Sequence, residues 1–157
     1  MDRKLLKIYL NDHLAGSVVG IAVARRSLGN NGGTPLGDFL ESFLRAVDDD
    51  QRWLEQAMRR LRVRRTRWKL AGAAVAERAG RLKLNGRITS YSPLSRVEEL
   101  EALLIGVEGK RAVLASLREL DDGRLAGLDI DSRIGRAERQ QADIERFRLQ
   151  AVRRALR

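Results

Sequence analysis

Cysteine is absent from this 157-residue chain, and histidine occurs once, as His13. The first absence excludes a disulfide framework, a thiol nucleophile, a zinc ribbon and a thiolate-held iron–sulfur cluster. The second excludes most catalytic triads and most histidine-built metal sites. Two prolines and seven aromatic residues are too few for an all-β sandwich or barrel, which draws on turn prolines and aromatic strands. Long hydrophobic runs are missing as well. The longest nearly uncharged stretch, Leu14 to Ala24, is too short to span a bilayer and carries Gly16, Ser17 and Gly20. No signal-peptide core or cleavage site follows Met1, so the sequence predicts a cytoplasmic protein without membrane insertion.

What remains is a composition of 43% apolar and 33% charged residues, that of a folded chain. Its length suits one domain, residues 1–157, with a single substantial core. The net charge of +10 belongs to one segment. Residues 51–91 hold twelve basic residues against two acidic ones, and the rest of the chain balances at nineteen of each. Arg59, Arg60, Arg62, Arg64, Arg65, Arg67, Lys69, Arg81, Lys83 and Arg87 are the candidate anion-binding residues. A field of this kind attracts phosphates, and arginine suits bidentate contact with them. Cations that close a helix C-terminus give the same pattern, and no nucleic-acid-binding motif accompanies these.

Apolar spacing predicts four long helices. Asp2 caps the first, which runs to about Arg26 and gives way to a loop over Leu28–Gly33. Thr34-Pro35 restarts the chain with a cap and a first-position proline. Leu36, Leu40, Phe43, Val47, Leu54, Ala57 and Leu61 then form an alternating four–three seam, interrupted only by Asp50. A shorter helical segment follows from Thr66 to about Gly80, then an alternating 81–88 stretch around Asn85-Gly86, read as an irregular connection. Ser92-Pro93 opens the third helix, with Leu100, Leu103, Leu104, Val107, Leu114 and Leu117 on its face and Arg111 among them. The fourth begins near Asp129 or Asp131, its seam running through Ile130, Ile134, Ala137, Gln141, Ile144, Arg148, Ala151 and Ala155. Close helix packing is the ordinary reading of Gly16, Gly20 and Ala24 at every fourth position.

The fold expected is all-α, a four-helix bundle with a long crossover, including a short extra helix, between helices 2 and 3. That layout resembles the ferritin-like superfamily, over nearly the whole chain and through helix lengths and crossover position. The resemblance implies two metals at mid-bundle, held by glutamates and Glu-x-x-His pairs. His13, Asp50, Glu108, Arg111 and Gln141 fall at that depth, but no Glu-x-x-His exists and an arginine there repels a divalent cation. The expectation is therefore a polar core layer with no metal, no cofactor and no catalytic residue. In it Arg111 forms a desolvated pair with Asp50 or Glu108, Gln141 completes the hydrogen bonding, and His13 is a hydrogen-bonded core histidine.

Three functions follow from these residues. The leading one is a non-enzymatic bundle working through a protein partner or a second copy of itself, with Leu149, Val152 and Leu156 as a spare apolar line. The alternative is nucleic acid or another polyanion bound through residues 51–91. The third is a small-ligand pocket at the polar layer, which predicts a deep pocket opening onto Glu108, Asp50 and His13.

Overall fold

The computed structural model describes residues 2–66 and 91–157. They form α1 (Arg3–Asn31), α2 (Pro35–Arg60), α3 (Pro93–Glu119), a short 3-10 turn (Gly123–Leu125) and α4 (Ile130–Ala155). The fold is all-helical, a four-helix bundle, with no strand among the described residues.

Local chemistry sets the helix ends. Asp2 accepts from the Lys4 and Leu5 amides, Thr34 from Gly37, Ser92 from Ser95 and Asp129 from Ser132. Each cap satisfies amides that the first turn leaves without partners. The chain departs from expectation after Arg26, where α1 continues through Leu28 to Asn31 instead of opening into a loop. Ser27 and Asn31 lie one turn apart on the buried face, and Asn31 Nδ2 donates to the Ser27 carbonyl at 2.7 Å. The turn is made only at Gly32-Gly33, where Gly33 takes φ +71°, a left-handed conformation that glycine adopts without strain.

Two apolar clusters fill the bundle, one toward each end. Leu6, Leu61, Leu117 and Ile134 belong to the first. Ala24, Leu36, Val97 and Ala151 belong to the second. It follows that α1 and α4 run one way while α2 and α3 run the other. Thr66 and Tyr91 sit at opposite ends of the bundle, with Thr66 bonded to Asn11 on α1 and Tyr91 to Asn31. The crossover between them, with its expected short helix and 81–88 connection, lies outside the described residues. So do Arg67, Lys69, Arg81, Lys83 and Arg87.

The closest packing is within the α3–α4 pair, and α1 rests on both α2 and α3. Along α1 the buried set is Leu6, Leu10, Leu14 and then nothing until Ala24. That interruption positions the site described next.

Candidate functional site

Between the two apolar clusters the bundle carries a buried ionic layer. Asp50, on the inner face of α2, accepts from Lys110 Nζ on α3 at 2.7 Å and from Arg133 Nη1 on α4 at 2.9 Å. Arg136, one turn along α4, also pairs with it. Asp49 receives the same two arginines at 3.0 and 2.9 Å, and Lys110 further donates to Gln140. Burial lowers the pKa of Lys110 against the opposing pull of Asp50, and the hydrogen bond from Arg136 lowers that of Asp49. Three helices are thus tied together by three cations and two carboxylates.

Of the two partners expected for Arg111, the structure gives Glu108, on its own helix and bidentate at 2.9 and 2.7 Å, and not Asp50; the correction is that the pair is not desolvated. That pair is solvated, and Gln141 completes it from α4 at 2.8 Å. Arginine binding holds the Glu108 carboxyl down to about 2. Glu108, Arg111 and Gln141 therefore form an outer cluster, while the buried positions belong to Lys110 and Gln140, one residue earlier on each helix. One residue is 100° of helical rotation, enough to exchange surface for core. Arg148 sits nearer the bundle end, pairing with Glu145 and Glu101.

The layer does not suit a metal pair. Asp49 and Asp50 are committed to cations, and no group of three or more His, Asp or Glu residues is placed to hold a metal ion among the described residues.

Beside the layer lies a half-open cleft of about 360 Å³, walled by α1, α2 and α3. Gly16 and Gly20 line it from α1, and Gly106 and Gly109 from α3. A Cβ built on any of these four meets nothing within 4 Å among the described residues. Close packing at Gly16 and Gly20 is thus corrected: Ala24 packs in the core, but the two glycines leave space. Phe43, Val47, Leu54, Leu103, Val107 and Leu114 give the cleft apolar walls.

Its polar lining is nearly all engaged. Asp50 and Lys110 neutralise each other, Tyr9 Oη bonds Ser116 at 2.9 Å, and Gln51 donates to Ser17 at 3.2 Å. Three groups stand apart, among them Asp12, which is exposed and makes no hydrogen bond or ion pair among the described residues. Trp53 is only 6% exposed, and its indole N–H is buried without a partner among the described residues. The Arg133 guanidinium stacks on its ring at 5.2 Å. His13 is half-buried rather than a hydrogen-bonded core residue; it meets the Tyr9 ring edge-on at 4.6 Å and makes no hydrogen bond among the described residues. Burial lowers its pKa, with Asp12 opposing, which favours the neutral imidazole.

A second polar cluster closes the other end of the bundle. Buried Glu99 accepts from Tyr91 Oη at 2.9 Å and pairs with Arg26 at 3.1 Å, while Asn31 donates to Tyr91. Desolvation raises the pKa of Glu99. Sequence reasoning missed this cluster; its signal was a glutamate four residues before the core leucine Leu103.

Of the described basic candidates, Arg60 donates to the Ala126 carbonyl at 2.6 Å and Arg65 pairs with Glu55 at 3.0 Å. Arg59, Arg62 and Arg64 are exposed where α2 ends. No described helix is long and apolar enough to cross a membrane. Comparison of the chain with models of protein families, with curated proteins and with solved structures finds no match.

Proposed function

We propose that this chain is a non-enzymatic binding protein, a ferritin-like bundle whose mid-layer is an ionic cluster and whose cleft receives a small, largely apolar molecule. The observation that carries the reading is the set of four glycines around an open volume. Each costs its helix about 0.5–1 kcal/mol relative to alanine, and none faces a described neighbour that alanine would strike. Space kept at the expense of stability supports a site, since function is where stability is commonly traded away. The cleft's size falls at the lower end of the range for small-molecule pockets, and its apolar walls with few polar groups have the composition of one. The parallel course of α2 and α3, with the chain crossing between opposite ends, supports the ferritin-like comparison.

The test is titration with N-phenyl-1-naphthylamine, an uncharged dye whose emission rises and shifts to the blue in apolar surroundings. Saturable one-to-one binding is expected, abolished in Gly16→Leu/Gly106→Leu. No saturable signal, or equal binding by the filled variant, overturns the reading.

A second reading is favoured by the outer face of α1. Leu5 and Ile8 are 63% and 50% exposed, with Val18 further along, and Ile105 on α3 is 75% exposed at the cleft. Such a face supports docking of a protein partner or a second copy. On α4, Leu149 and Leu156 are exposed while Val152 packs against the core. Sedimentation velocity of the native chain and Ile8→Glu would separate a self-associating protein from a monomer.

A further inference from the structure

We infer that the outer face of α4, over its last three turns, docks on an anionic phospholipid surface. Leu149 and Leu156 enter the boundary of the acyl chains, and Arg153 and Arg157 meet the phosphates. The cleft takes no part, since its walls are α1, α2 and α3.

Helical spacing makes this one face. Arg146, Leu149, Arg153 and Leu156 follow one another at three, four and three residues and so form a single stripe. Ile144, Phe147 and Ala151 take the buried side of the same turns. Leu149 is 43% exposed and Leu156 68%. Val152 and Ala155 pack against the core, and the two leucines do not. A third exposed leucine adjoins them from α3. Gln141 bonds Glu108 and Arg148 bonds Glu101, a register that sets Leu94 level with Ala155, and Leu94 is 40% exposed. Single exposed leucines are ordinary, whereas several at one corner of a bundle make a patch.

The charge around this patch is of one sign. Residues 146–157 contain five arginines and no acidic side chain. Arg146 pairs with Asp143, and Arg148 with Glu145 and Glu101. Arg153, Arg154 and Arg157 are exposed and make no ion pair among the described residues. The helix dipole accounts for cations in the last turn but not for the leucines among them. Of the acids on α3 near Leu94, Glu101 is held by Arg148 and Glu98 is engaged in an interaction of its own. Exposed Asp38 and Glu41 belong to α2, which meets α4 through the Phe39 and Phe147 rings. Phe147 lies about 200° of helical rotation from Leu149, so those acids sit on the other flank.

The combination selects the occupant. A phospholipid surface supplies phosphates and an apolar interior beneath them, and a basic helix face bearing leucines suits both. Nucleic acid offers the phosphates, but its bases stack on aromatic side chains, and this stripe has none. A second copy docked face to face would set arginine against arginine with no carboxylate to answer.

The test is co-sedimentation of the full chain with phosphatidylcholine vesicles, with and without phosphatidylglycerol. Binding to the anionic vesicles is expected to be at least about tenfold tighter, and to weaken as salt is raised. Arg153→Glu/Arg157→Glu and Leu149→Ser/Leu156→Ser should each lose at least about tenfold, with circular dichroism unchanged. In the otherwise native chain, Leu156→Trp should add emission that brominated acyl chains quench. Absence of binding to the anionic vesicles overturns the inference. Retained binding in either double variant does so too, as does a Trp at 156 that the brominated chains leave unquenched. Duplex DNA bound as tightly as the vesicles, with the leucine variant unaffected, overturns it in favour of a general polyanion site.

Discussion

The Lys110 ammonium lies 2.7 Å from the Asp50 carboxylate at the middle of the bundle, while the adjacent Arg111 pairs with Glu108 on the surface. Neighbours in sequence thus do different work. Asp50 accepts from Lys110, Arg133 and Arg136, and its loss would leave the two arginines to Asp49 and Lys110 to the neutral Gln140.

Asp50→Ala should therefore destabilise the fold by about 3–5 kcal/mol, the range for stripping one partner from a buried ion cluster. Arg111→Met removes only a solvated pair, and its urea midpoint should match that of the native chain. Equilibrium unfolding of the two variants checks both. A larger loss in Arg111→Met than in Asp50→Ala would contradict the placement of the two residues.

Glycines in this chain should respond to alanine in opposite directions. At Gly37, in the first turn of α2, a Cβ would lie 2.4 Å from the Asn31 carbonyl oxygen, so the α1–α2 turn could not hold its geometry. Gly37→Ala is expected to cost about 1–3 kcal/mol, as overpacking against an unyielding neighbour does. Thermal unfolding with unchanged helical content would measure it.

Glu99 gives a pH dependence of defined sign. Burial raises its folded-state pKa above the unfolded value, with Tyr91, Ser27, Arg26 and Arg96 as the groups facing it. The folded state then holds the proton more tightly, so stability from this group is present below the unfolded pKa and is lost as pH rises through the folded pKa. Asp49, Glu108, Asp122 and Glu145 are shifted downward and act with the opposite slope, so a difference measurement is needed. Glu99→Gln should be more stable than the native chain at pH 7 and equal to it near pH 4. A gap that widens toward pH 4 would contradict the assignment.

The helix starts were legible because capping is local: Thr34-Pro35, Ser92-Pro93 and Asp129 carry their signals within a few residues. A polar mid-layer was legible too, since Asp50 interrupts a regular apolar stripe. Its membership was not. Lys110 and Arg111 are equally plausible beside that stripe, and so are Gln140 and Gln141, until the helices have a fixed rotation about their axes. The cleft was legible only as glycines, and a glycine reads alike whether a neighbouring helix presses on it or stands away. Gly37 meets the Asn31 backbone across the α1–α2 turn, whereas Gly106 meets no described neighbour, and neither fact is written in the glycine itself. The end of α1 was misjudged for a related reason. Leu28–Asn31 carries two asparagines and a glycine, yet the side chains of Asn30 and Asn31 bond carbonyls one turn back and the helix continues.

The four glycines carry the cleft as a functional site, and one protein tests it: the quadruple variant Gly16→Ala, Gly20→Ala, Gly106→Ala, Gly109→Ala. Thermal unfolding and dye titration would be run on the same sample. If these positions are kept small for a ligand, the variant should gain about 2–4 kcal/mol in stability, the sum of four helix-interior replacements, while dye affinity falls at least tenfold. A variant that loses stability, or that binds the dye as the native chain does, would contradict the cleft as the functional site.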